Sequence, residues 1–258
     1  MKILKLLSYL FISSLILVGC SNDDNDNVDS NSIANQANNK QPLGSSANDL
    51  LSDTNFSSIT VEIVSVEGFE PTAAALSGFT QFLEDRLFKP EGITITQRSV
   101  VSSGKAPFSI EEIVEIENDT RTLFNEEDDI AVYIYFADGS REDDNGDEQI
   151  TLGSAYLNTS IVIYEDTLRN LTTNFNAPSL STIENATLNH EFVHLLGLVN
   201  IGTPLQSDHE DEEESNHCNV VGCLMQSAIQ FGNGVMGINN VPELDPLCIA
   251  DLQANGGK

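Results

Sequence analysis

His190-Glu191-Phe192-Val193-His194-Leu195-Leu196-Gly197 is the stretch from which the rest of the chain is read. On a helix, imidazoles at i and i+4 lie on one face, close enough to hold one metal ion, and Glu191 stands beside them as a general base. Zinc at such a site brings the pKa of a water towards neutrality, which supplies a nucleophile for an amide carbonyl. A surface helix that happens to carry two His and a charge is the plain alternative. The flanking residues oppose it. Phe192, Val193, Leu195 and Leu196 make the segment apolar on most sides, so it is expected to be buried, and buried His and Glu are costly without partners. All 4 His of the chain, His190, His194, His209 and His217, fall between His190 and His217.

A catalytic zinc site needs a third protein ligand and an open position. After Gly197 the chain passes through Ile201 to Asn216 and then reads His217-Cys218-Asn-Val-Val-Gly-Cys223-Leu224-Met225-Gln226-Ser227. The HExxHxxG stretch resembles the metzincin metalloproteases, and the HC-x4-CxM segment resembles the archaemetzincin family within that clan. In the clan a third His usually follows three residues after the Gly, a position held here by Asn200. The resemblance therefore implies a motif split by an insertion, Ile201 to Asn216. It implies His190, His194 and His217 as zinc ligands, Glu191 as the base, and Met225 in the turn beneath the metal. It also implies that an edge strand near Leu152 to Leu157 pairs with an extended peptide substrate. His209, inside the insertion, is the alternative third ligand. The run Glu210 to Glu214 offers a weaker one and otherwise reads as a solvated charge run.

The family's second, structural zinc is held by Cys. Here Cys218, Cys223 and Cys248 are present, with Asp251 standing where the fourth Cys is expected, so a Cys3Asp site is one reading. One disulfide plus a free thiol is the other.

Upstream, hydropathy predicts alternating strands and helices. Strands are expected at Phe56–Val66, Ile93–Val101, Asp129–Phe136, Ile150–Leu157 and Ser160–Tyr164, and helices at Pro71–Phe88, Ser109–Phe124 and Pro178–Leu198. Ser109 with Glu112 forms a capping box at the start of the second helix. The order implies an α/β (α+β) fold: a mixed, twisted, metzincin-like sheet of about five strands with an antiparallel edge. Two packing helices, an active-site helix and a small irregular C-terminal subdomain complete it. The acidic stretch Asp138 to Glu148 does not fit an EF-hand loop, because Arg141 and Leu152 stand where acidic ligands belong. It reads as a solvated turn.

The chain has 258 residues and a formal net charge of −29. No Lys/Arg cluster is available to neutralise phosphates, which excludes nucleic acid as a usual partner, and a polybasic membrane anchor is excluded for the same reason. The N-terminus reads as an address. Lys2 and Lys5 precede an apolar run too short to span a membrane, and Leu17-Val18-Gly19-Cys20 resembles a bacterial lipobox. The expected division is a signal peptide at 1–19, a lipid-anchored disordered tether at 20–53, and a zinc metalloprotease domain at 54–258. That domain comprises an upper half to 199 and a lower half from 200. Ser21-Asn22-Asp23-Asp24 resembles an acidic surface-export signal, so an outer-membrane lipoprotein exposed at the cell surface is expected, with a periplasm-facing one as second choice. The expected function is that of a monomeric zinc-dependent endopeptidase acting on proteins or peptides outside the cytoplasm. A zinc-binding lipoprotein without catalysis is the alternative.

Overall fold

The computed structural model describes residues 30–144, 150–173, 177–228 and 240–258. The expected leader, Cys20 and the acidic tetrapeptide after it lie outside those residues, as does part of the acidic turn.

Strand β1 (Ser58–Val66) sits inside the sheet, and its side chains show why. Ile59, Val61 and Ile63 point into one core, while Val64 and Val66 point into another. A strand apolar on both faces must be covered on both. Strands β2 (Gly92–Val100) and β3 (Asp129–Phe136) flank it in parallel. Strand β5 (Ser160–Ile163) runs parallel to β3, and β4 (Gly153–Leu157) closes the sheet as an antiparallel edge. The order is β2-β1-β3-β5-β4. This is the five-stranded mixed sheet that the alternation of elements implies.

Helices α3 (Ala73–Arg86) and α6 (Leu180–Leu195) cover the first core, and α4 (Ile110–Thr120) covers the second. The capping box of Ser109 and Glu112 is formed. Helix α3 begins later than expected because Thr72, not a residue before Pro71, is its N-cap and accepts from Ala75 N. Helix α6 is capped by Ser179, which accepts from Thr182 N, and every residue from Thr182 to Leu195 is buried. Within residues 54–258, two short helices were not expected, α5 (Glu165–Leu171) and α7 (Pro246–Ala254). Glu165 and Glu184 meet between α5 and α6. Glu184 accepts from the Thr72 backbone, and Arg169 donates to Glu165.

The expected tether is corrected in its second half. Beyond α1 (Ser30–Asn38), Asn39 is fully buried and donates to Asn125 Oδ1 at 2.7 Å and to the Ala131 carbonyl at 2.9 Å. In α2 (Ala47–Leu51), Leu50 and Leu51 belong to the main core. Lys89 Nζ donates to the carbonyls of Asp49, Ser52 and Phe56 and so staples this segment down. The segment is polar by composition, but Asn39 and the carbonyls of Asp49 and Ser52 are satisfied by the fold rather than by water. Among the described residues no helix is long and apolar enough to cross a membrane.

Candidate metal centres

Helix α6 ends at a turn only glycine accepts comfortably. Gly197 has φ of +80°, and a Cβ there would sit 2.6 Å from Thr203 N. Its carbonyl takes the amides of Ile201, Gly202 and Thr203, which folds the insertion back across the helix end. Asn200 does not face the imidazoles. Its Nδ2 donates to Glu210 Oε2 at 3.0 Å. The insertion then returns as one arm of a short antiparallel bridge between Glu210 and Cys218, with Asp211 N donating to the His217 carbonyl and Asn219 N to the His209 carbonyl.

This return brings His217 to His190 and His194. The ligand atoms of the three lie within 4.8 Å of one another. The ring nitrogens are sorted by their partners. His190 Nδ1 meets the Leu224 carbonyl at 2.8 Å, His194 Nδ1 meets the Leu198 carbonyl at 3.1 Å, and His217 Nδ1 meets the Ser215 carbonyl at 3.1 Å. A carbonyl only accepts, so each Nδ1 carries the proton and each Nε2 presents a lone pair. His190 Nε2 and His194 Nε2 face each other at 3.2 Å. Two lone pairs at that distance repel unless a cation lies between them. Two Zn–N bonds of 2.0–2.1 Å at a tetrahedral angle place their nitrogens about 3.3 Å apart. The donor set therefore fits zinc in both chemistry and spacing. Burial drives His190 down to about 4 and His194 well below its ordinary value, which keeps both neutral and able to ligate.

Glu191 points from the same helix towards the sheet edge. Its Oε2 accepts from Ala155 N of β4 at 2.9 Å. Burial pushes its carboxyl up to about 8, with the Ala155 amide pulling the other way. Gly153 makes the approach of strand to helix feasible, since a Cβ there would lie 2.8 Å from Glu191 Cγ and 3.0 Å from Thr187 Cγ2. Met225 is fully buried in the main core. Its carbonyl accepts from Cys218 N at 2.7 Å, while the carbonyl of its neighbour Leu224 orients His190.

A second cluster lies on the far side of the same segment. Cys218, Cys223, Cys248 and Asp245 bring their ligand atoms within 4.8 Å of one another. Asp245, not Asp251, is the fourth member. Asp245 is the N-cap of α7, with Pro246 following, and its Oδ2 lies 3.2 Å from Cys218 Sγ. The pair is thus Asp245-x-x-Cys248, one helical turn earlier than the expected Cys248-x-x-Asp251. The spacing and the cap-plus-proline signature are both visible in the sequence. All three thiols are free. Cys223 Sγ and Cys248 Sγ are 3.7 Å apart, and Zn–S bonds of about 2.3 Å imply about 3.8 Å between tetrahedral sulfurs. Hydrogen bonds from Cys218 and Cys248 hold the Cys223 thiol far below its usual range. The Cys218 thiol is pushed up in exchange.

His209, the alternative third ligand, lies elsewhere. It is fully buried beside this second cluster and takes no part in the three-imidazole one. The run Glu210 to Glu214 likewise supplies no member to either cluster. Glu210 braces Asn200 and Asn216 N.

No protein-family model matches the chain, and no curated protein does. Among solved structures, the chain is similar to archaemetzincin from Methanopyrus kandleri, at 14% identity and a TM-score of 0.49, over 77% of this chain and 96% of that one. It is also similar to metalloproteinase-II from Bacteroides fragilis, at 14% identity and a TM-score of 0.45, over 78% of this chain and 54% of that one.

Of the residues singled out in the sequence, His190, Glu191, His194 and His217 meet at one place. Ala155 and Gly153, which set the position of Glu191, carry no sequence signal.

Proposed function

We propose that the protein is a zinc-dependent endopeptidase in the manner of the metzincins, with His190, His194 and His217 holding the metal and Glu191 as general base. The observation that carries this reading is the convergence of three Nε2 lone pairs, each fixed by an Nδ1–H donated to a backbone carbonyl, beside a buried carboxylate. When bound, zinc supplies an acidified water and polarises the scissile carbonyl. The residues of the chain do the rest. Glu191 takes a proton from the nucleophile and delivers it to the leaving amine, and burial, which raises its affinity for a proton, favours the protonated form it takes between the two transfers. Among the described residues β4 is the edge of the sheet, and it runs beside Glu191 and offers backbone groups to an extended peptide. The Cys218–Cys223–Cys248–Asp245 cluster holds a second, structural zinc whose role is to fix the segment carrying His217.

The sequence at Leu17 to Cys20 supports attachment by lipid on Cys20 and a location outside the cytoplasm. The deciding experiment compares hydrolysis of a casein or quenched-peptide mixture by the zinc-loaded wild type and by Glu191→Ala. Loss of cleavage with zinc retained supports the endopeptidase. Equal rates, or none in either protein, assign the site to metal binding without catalysis.

A further inference from the structure

The Cys218–Cys223–Cys248–Asp245 cluster would hold four anionic ligands on one divalent cation and so carry excess negative charge in a buried place. Buried anionic sulfur needs hydrogen-bond donors. Two of the thiols receive them from the backbone. Val220 N donates to Cys218 Sγ at 3.4 Å, and Met225 N donates to Cys223 Sγ at 3.4 Å. Both lie in loop, where amides are free to turn towards a side chain. Cys248 lies inside α7, where amides are spent on the helix, as Ile249 N is on the Asp245 carbonyl.

The donor that faces Cys248 comes instead from the insertion. His209 Nε2 lies 3.5 Å from Cys248 Sγ. Its Nδ1 meets the Ser207 carbonyl at 3.1 Å, and its own carbonyl is pinned by Asn219 N at 2.9 Å. Asp251, one turn along α7 from Cys248, accepts from Gln206 N at 2.7 Å and places its other oxygen 3.4 Å from His209 Nε2. His209 and Asp251 are both fully buried. An imidazole and a carboxylate in such a place are a poor choice for filling volume, which a hydrocarbon side chain would do without desolvation cost.

We infer that His209 is a positioning residue of this second metal site: both of its ring nitrogens face acceptors, Nδ1 the Ser207 carbonyl and Nε2 the Cys248 sulfur with Asp251 Oδ2 beside it, so it donates from both, Nε2–H reaching the Cys248 thiolate, while Asp251 fixes the loop that delivers it. The inference rests on the reading of the thiol cluster as a metal site. It gives the insertion Ile201 to Asn216 a purpose: it supplies the one N–H···S contact that α7 cannot.

The test is cobalt substitution of the full chain, because the thiolate-to-cobalt charge-transfer band reports the thiol site alone and is silent on a three-imidazole site. Gln at position 209 keeps a donor at the place of Nε2, whereas Asn keeps one only at the place of Nδ1. His209→Gln is expected to release cobalt to a chelator within about threefold of the wild-type rate. His209→Asn is expected to release it at least about tenfold faster, in line with the roughly 10–100-fold effect of outer partners on metal affinity. Wild-type release in both variants overturns the inference. Equal acceleration in both reduces His209 to a loop anchor and also overturns it. A change in the cobalt ligand-field bands of His209→Gln marks His209 as a direct ligand, again against the inference. A wild type that binds cobalt without any thiolate band removes the metal site itself, an outcome distinct from the other three.

Discussion

Glu191 Oε2 accepts a hydrogen bond from the backbone amide of Ala155 at 2.9 Å, so the proposed general base is held by the sheet edge and not by a side chain. A backbone donor cannot be mutated away, but its distance can be changed. Gly153→Ala would put a methyl 2.8 Å from Glu191 Cγ and 3.1 Å from the Val162 carbonyl. The backbone cannot yield easily, so Glu191 must shift. A positioned base contributes roughly 10²–10⁴-fold to such a reaction, so Gly153→Ala is expected to lower kcat about 10–100-fold with zinc content and KM little changed. Faster exchange of the Ala155 amide with solvent deuterium in this variant would report the same displacement without any assay of activity. Unchanged exchange together with unchanged kcat would refute it.

His217→Ala removes one of three converging lone pairs, and His209→Ala removes none. Atomic absorption on purified protein should find catalytic-site zinc lost in the first variant. In the second, metal at the three imidazoles should remain. Loss of hydrolysis in His209→Ala with His217→Ala still active would reverse the assignment.

A chain that starts at residue 54 lacks Leu50, Leu51 and Asn39. Restoring two leucines' worth of apolar surface to water costs roughly 3–6 kcal/mol, a large part of the roughly 5–15 kcal/mol that holds a domain folded. The carbonyls of Asp49 and Ser52 that receive Lys89 would be lost too. Circular dichroism should show the chain from 54 largely unfolded at 37 °C, and the chain from 30 folded. Equal melting temperatures would return residues 30–53 to the role of a tether.

Burial raises the Glu165 carboxyl from 4.5 to about 8. Arg169 opposes the shift and the Glu184 charge adds to it. The folded state thus holds a proton that the unfolded state has released between these two values. The stability from this group is complete below pH 4.5 and is lost as pH rises through about 8. Glu165→Gln cannot lose that proton. Its Tm relative to wild type should therefore rise steadily from pH 5 to pH 8. A constant difference across that range would show that Glu165 is charged in the folded protein.

The local signals in this chain are strong wherever one face meets one core. The alternation of Ile59, Val61 and Ile63, the run Asp129–Phe136 and the capping box at Ser109 all translate directly into structure. The imidazole pair at His190 and His194 is legible because helical geometry alone joins them. His217 was legible only through its Cys and Met neighbours, since a bridge to the insertion brings it in. The N-terminal segment misleads because burial of Asn39 depends on acceptors near Asn125 and Ala131, far along the chain. Choosing Asp245 over Asp251 from the sequence needs a helix register that the residue spacing alone does not supply. Pro246 and the cap before it mark the start of α7, and with that start fixed, only Asp245 points at the thiols.

His217 and Cys218 are consecutive, yet one belongs to the imidazole cluster and the other to the thiol cluster. A single peptide bond is therefore a shared wall between two chambers, and no residue can be added or removed there without emptying one of them. A change of length has to be accommodated elsewhere, and the stretch closed by the Glu210–Cys218 bridge lies next to it.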